Sequence, residues 1–174
     1  MNLHSGLSEA LLQMGGSGID VNVGANPVGN VVGSAIGAFV TTLVVGAILV
    51  AVAPAYVERM MDTVVDEPVG SFVYGLVCLV GALLVVLVLF ITIIGILIAI
   101  PFAIVVGIAW AVGAAIAYLV IAERLVGREG DAWGKPLLVA AALNGALTLT
   151  GIGGLVAFGI GAAGFGAVLK DRLG

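Results

Sequence analysis

Residues 71–122 read SFVYGLVCLVGALLVVLVLFITIIGILIAIPFAIVVGIAWAVGAAIAYLVIA, 52 consecutive positions without one charged side chain. A membrane span needs about 20 apolar residues, so the run is long enough for two. A soluble domain of 174 residues has no interior able to hide it. The stretch predicts a transmembrane hairpin whose break falls at Thr92-Ile93-Ile94-Gly95, with Pro101 beyond it. Glycine loosens the backbone and proline removes a helix hydrogen bond, so a turn between Thr92 and Pro101 divides spans of about 72–91 and 96–122.

Composition extends the reading to the whole chain. Hydrophobic residues make up 62% and charged residues 9%, far from the roughly 25% charge of soluble domains. The expected fold class is all-α: a polytopic integral membrane protein of about four to five transmembrane segments, with two hairpins tipped by Thr and Gly. The only cysteine, Cys78, lies inside the apolar run, which leaves no disulfide framework and no Cys/His metal spacing. Net charge is −4 with two lysines, so no polybasic surface for nucleic acid is expected.

Upstream of the run, residues 55–67 place apolar side chains at Val57, Met60, Met61, Val64 and Val65. That is the i, i+3, i+4 spacing of an amphipathic helix, expected to lie along the bilayer surface and to end at Pro68. Glu58, Asp62 and Asp66 recur every fourth residue with no glycine turn to wrap oxygens around an ion. They read as a solvated face, and no metal or cofactor is expected. Before this helix comes a first span of about 31–53. Gly29, Gly33 and Gly37 line one of its faces at intervals of four, which predicts close helix packing, chiefly within the chain. Residues 1–30 form a polar, Gly-rich N-terminal segment, in which Leu3 to Met14 is either a short amphipathic helix or a frayed tail.

Downstream of the run, residues 123–135 form a polar loop, and Pro136 opens a last apolar region from Leu137 to Leu169. One helix of that length would be about 50 Å long, too long for a hydrocarbon core of about 30 Å. The break is expected at Thr150-Gly151-Ile152-Gly153-Gly154, giving segments of about 137–149 and 154–169. The first of these either crosses or enters and turns back as a re-entrant half-helix. Asn144, Thr148 and Thr150 would then satisfy the freed backbone. Thr92 to Ala99 can be laid over Thr150 to Ala157 with five identities in eight, which suggests two hairpins with matching tips, Gly95 answering Gly153. Gly159-Ile160-Gly161-Ala162-Ala163-Gly164 matches a dinucleotide-binding string, but no strand precedes it, and Gly159, Gly161 and Gly164 read as helix packing.

With this topology all six Lys and Arg (Arg59, Arg124, Arg128, Lys135, Lys170, Arg172) fall on one side of the membrane. The positive-inside rule makes that side cytoplasmic, with the N-terminus outside and the C-terminus inside a cell membrane. Residues 31–174 then form a single transmembrane domain.

The stretch from Tyr56 to Pro101 carries Asp62-Thr63-Val64 before Glu67-Pro68, then Ser71, Tyr74-Gly75, and the break from Ile94-Gly95 to Pro101. It resembles the membrane domain attached to bactofilin-like, polymer-forming prokaryotic proteins. Ile152-Gly153-Gly154 and the Gly-rich segment after it are similar to that domain's second hairpin, so the resemblance runs from about Pro54 to Leu169. No repetitive β-helix domain accompanies it here. The resemblance implies anchoring or scaffolding and brings no catalytic residue with it.

Two function classes remain. One is a non-enzymatic scaffold in the lipid bilayer, homo-oligomeric through its Gly/Ala faces, that offers residues 55–67 and 123–135 to a cytoplasmic protein partner. The other is a small channel or carrier whose path is lined by Thr92, Asn144, Thr148 and Thr150, with Gly95 and Gly153 at the hairpin tips. The absence of Asp, Glu, Lys, Arg and His from the spans argues against a proton-coupled carrier or an intramembrane protease.

Overall fold

The computed structural model describes residues 27–91, 93–150 and 152–173. The predicted tail helix at Leu3 to Met14 lies outside them, as does Thr92. Among the described residues six helices follow one another: α1 (Pro27–Val52), α2 (Pro54–Asp66), α3 (Pro68–Phe90), α4 (Ile93–Val126), α5 (Gly134–Leu149) and α6 (Gly153–Leu173). The fold is all-α, and α1, α3, α4 and α6 are long and apolar enough to cross a membrane. Their outward positions, such as Val77, Leu83, Leu97 and Val105, are exposed and apolar. A surface of that kind is suited to lipid and costly in water, so the chain is membrane-embedded.

Prolines set the boundaries at the charged end of the bundle. Pro54 and Pro68 are the first residues of α2 and α3, where the missing N–H costs nothing. Each also forces the residue before it out of the helical region. Ala53 has φ −144° and ψ 59°, and Glu67 has φ −132° and ψ 64°, so two single-residue breaks cut α2 out of the chain. Pro101, expected to help make the hairpin turn, instead lies inside α4. The turn is confined to the residues around Ile91, and the helix absorbs Pro101 as membrane helices do when neighbours satisfy the freed carbonyl.

Sequence neighbours do not make the largest contacts. α6 packs most extensively against α3 and α4, and α5 against α1, while the hairpin pairs α3–α4 and α5–α6 touch each other less. α6 is therefore wedged between the arms of the first hairpin. Backbone approaches backbone there: a Cβ on Gly166 would overlap the Ser71 carbonyl, and one on Gly164 would overlap the Gly113 carbonyl.

The core sits at the charged end. Val57, Met60, Met61 and Val64 of α2 are buried with Ile116, Tyr118, Leu119 and Ala122 of α4, Ala140 of α5, and Ala167 and Val168 of α6. The apolar face of α2 is thus turned to protein. That face closes the end of the bundle, because the ends of α4 and α6 offer it a protein surface to bury.

The second hairpin is shorter than the first. α5 has 16 residues, about 24 Å, less than the core thickness of about 30 Å. From the level where Gly164 meets Gly113, α6 climbs about 16 Å to its start at Gly153, while α4 climbs about 30 Å to Ile93. From Gly75, which lies against Ala162 and Gly166, α3 climbs about 22 Å to Phe90. The α5–α6 tip therefore stops about 6–14 Å short of the α3–α4 tip.

Candidate functional site

Two regions carry the polar chemistry of this chain, and they lie at opposite ends of α5 and α6. At the charged end, ion pairs join segments far apart in sequence. Arg59 meets Asp171 at 3.1 Å, tying α2 to the end of α6. Arg128 meets Glu58 at 2.7 Å and Glu123 at 3.3 Å, tying the loop after α4 to α2 and to α4 itself. Lys170 meets Glu67 at the α2–α3 break. Lys135 and Glu129 close the loop at 2.6 Å. Gly127 and Gly130, at φ +67° and +58°, give that loop the left-handed turns that side chains resist. Every described Lys and Arg thus lies on one side of the bundle, the arrangement expected from the spacing of spans.

Exposed ion pairs contribute little individually. Their effect here is to fix position. The Lys170 ammonium, by hydrogen bond and by charge, holds the Glu67 carboxyl below its ordinary value of 4.5. Since the folded pKa is the lower one, whatever stability this pair adds is complete above the ordinary carboxylate range and is lost as pH falls through the lowered value.

Beside these pairs a cleft of about 390 Å³ opens between α2, the last turns of α4 and the following loop. Its floor is apolar, formed by Met61, Val65 and Val120. Its walls are charged. Arg128 is held there by both carboxylates named above and by the Trp133 ring, whose centroid is 4.2 Å from the guanidinium carbon. Asp62 and Arg124 also line the cleft, and neither forms an ion pair with a described residue. Among the described residues no group of three or more His, Cys, Asp or Glu is placed to hold a metal ion.

The second region is the α5–α6 tip. Asn144 donates through Nδ2 to Thr42 Oγ1 at 2.7 Å and to the Ala38 carbonyl at 3.4 Å, which joins α5 to α1. Thr148 donates to the Asn144 carbonyl of its own helix at 2.8 Å, and Thr150 donates to the Leu147 carbonyl at 2.9 Å, capping α5. Gly153 N–H donates to the Thr150 carbonyl at 3.0 Å, and a Cβ on Gly153 would overlap the Leu147 carbonyl. Glycine is needed there for close approach and not for a positive φ. Gly95 is buried near the start of α4, as Gly153 is at the start of α6, so the paired glycines occupy comparable places.

The glycine faces divide. Gly161 lies against the Trp110 ring and Gly164 against Gly113, as packing residues should. At Gly33, Gly37 and Gly159 a Cβ would meet nothing within 4 Å, and Gly29 is exposed. The expected packing of the α1 row within the chain is therefore not made, because α5 meets α1 on another face, with Gly145 against Ala35 and Phe39. Gly166 continues the expected α6 packing row, while the contacts at Ser71, Gly75, Gly113 and Gly145 lie outside the sequence expectation. Their signal was present as small residues four apart: Ser71 with Gly75, Gly113 with Ala117, Ala141 with Gly145, Ala162 with Gly166.

A family model described as "Domain of unknown function (DUF8173)" matches residues 5–173. No curated protein and no solved structure matches the chain.

Proposed function

The chain belongs to the DUF8173 family, whose description assigns no activity, and from its geometry we propose that it is a non-enzymatic membrane scaffold. The observation that carries this reading is the charged end. Ion pairs and the buried face of α2 join α2, the loop after α4 and the end of α6 into one platform, built from the segments 55–67 and 123–135 that a partner would meet. Meanwhile Asn144 and Thr148, two of the side chains that would line a path, are engaged in helix-to-helix and helix-to-backbone bonds. The resemblance to the membrane domain of bactofilin-like proteins supports anchoring in the same way. By the positive-inside rule the platform faces the cytoplasm, with the N-terminus outside and the C-terminus inside. Self-association is assigned to the outward glycines of α1, where a second copy can approach closely.

The recessed α5–α6 tip favours the second reading, a small channel or carrier, since irregular backbone at membrane depth is tolerated against protein or water. Reconstitution into liposomes separates the two. A scaffold gives a defined oligomer by native mass and no ion or small-solute flux. A flux reduced by Thr148→Val with Thr150→Val would replace the scaffold with the channel.

A further inference from the structure

We propose that the cleft between α2 and the end of α4 binds the headgroup of an amine-bearing zwitterionic phospholipid of the phosphoethanolamine type. The inference goes beyond the scaffold reading and stands whether or not a protein docks on the platform. Its volume of about 390 Å³ falls within the usual range of small-ligand sites, about 300–1,000 Å³. Three of its five charged liners are engaged with one another, since Arg128 is shared by Glu58 and Glu123, a trio that keeps one negative charge in excess. That leaves one carboxylate, Asp62, and one guanidinium, Arg124, on the same cleft and too far apart to pair with each other.

A ligand complementary to this arrangement carries a cation and an anion a few ångströms apart. The primary ammonium of phosphoethanolamine donates hydrogen bonds to Asp62, and its phosphate accepts from Arg124, whose planar fork suits phosphate oxygens. The position of the cleft selects a lipid over a free zwitterion. Val120 lies inside the uncharged run that ends at Ala122, and Glu123 is the first charge beyond it, so the cleft straddles the boundary between hydrocarbon and headgroups. The apolar floor of Met61, Val65 and Val120 then meets the glycerol and upper acyl chain. A quaternary choline headgroup cannot donate to Asp62, and a glycerol headgroup brings no cation to it.

The test uses the full chain in nanodiscs of phosphatidylcholine alone, or with phosphatidylethanolamine or phosphatidylglycerol added, read by native mass spectrometry of retained lipid and by thermal unfolding. Phosphatidylethanolamine should be retained at one molecule per chain and should raise the melting temperature, and the other two should not. Asp62→Asn and Arg124→Gln, each at an exposed unpaired side chain, should each weaken retention about tenfold while leaving the helical spectrum unchanged. Asp131→Asn, outside the cleft, should leave retention as it was. Equal retention of phosphatidylglycerol would show a plain anion site and overturn the proposal. So would saturation of the effect by soluble phosphoethanolamine, or retention that neither cleft variant changes.

Discussion

In α6, Ala162 and Gly166 stand four residues apart, and there the helix meets the backbone of α3 so closely that an added Cβ would overlap the Ser71 carbonyl. In α1, Gly33 and Gly37 stand four residues apart as well, and an added Cβ would meet nothing. The pattern is the same and the consequence opposite. Small residues at that spacing permit close approach, but lipid competes equally well for any apolar face, so the pattern alone selects no partner. What distinguishes α6 is that both of its sides are occupied, by Gly113 and Ala117 on α4 and by Ser71 and Gly75 on α3. α1 meets its main neighbour α5 through Ala35, Phe39 and Gly46 instead.

The largest effect is expected where α6 is packed against α3. Gly166→Leu or Gly75→Leu should cost about 3 kcal/mol or more, because the obstructing atoms are backbone and neither helix has room to retreat. Thermal unfolding in detergent, with size-exclusion chromatography, reads this as a lost or much lowered transition. A variant that melts like the parent would mean α6 is not wedged between α3 and α4. An intermediate effect is expected where α1 and α5 are joined by a polar bond. Asn144→Ala removes the link to Thr42 and the Ala38 carbonyl and should lower stability by about 0.5–1.5 kcal/mol, the usual worth of an interhelical hydrogen bond in a membrane. Flux unaffected by the same change would fit a structural role for Asn144. The smallest effect belongs to the outward row. Gly33→Leu with Gly37→Leu should change the stability of the monomer by no more than about 0.5 kcal/mol, since both positions face open space. The same variant should lower the native mass if copies meet through α1, and a monomer that unfolds more readily would contradict the outward placement.

The charged end differs from both glycine rows in how it could be read. The sequence displayed Glu58, Asp62, Arg124 and Arg128 as charges on a helix and in a loop, with nothing to show that the two segments meet. Their convergence on one cleft required α2 to bury Val57 and Met60 against α4, a long-range contact that local spacing does not encode. Thr148 and Thr150 were legible as polar residues near a turn, but their role was not, since a hydroxyl that lines a path and one that caps a helix look alike in sequence.

Hydrophobic periods and proline positions are local quantities, and they determined the number of spans, the break near Thr92, the break at Thr150 to Gly154, and the amphipathic α2 between Pro54 and Pro68. The placement of all Lys and Arg on one side followed from counting those spans. Only the tertiary structure decided that α6 enters between α3 and α4, that the second hairpin stops short of the first, and that α2 covers protein and not lipid. The physical reason is common to the three. In a membrane the hydrophobic term no longer distinguishes one apolar face from another, so helix partners are chosen by steric fit and by a few hydrogen bonds between residues distant in the chain.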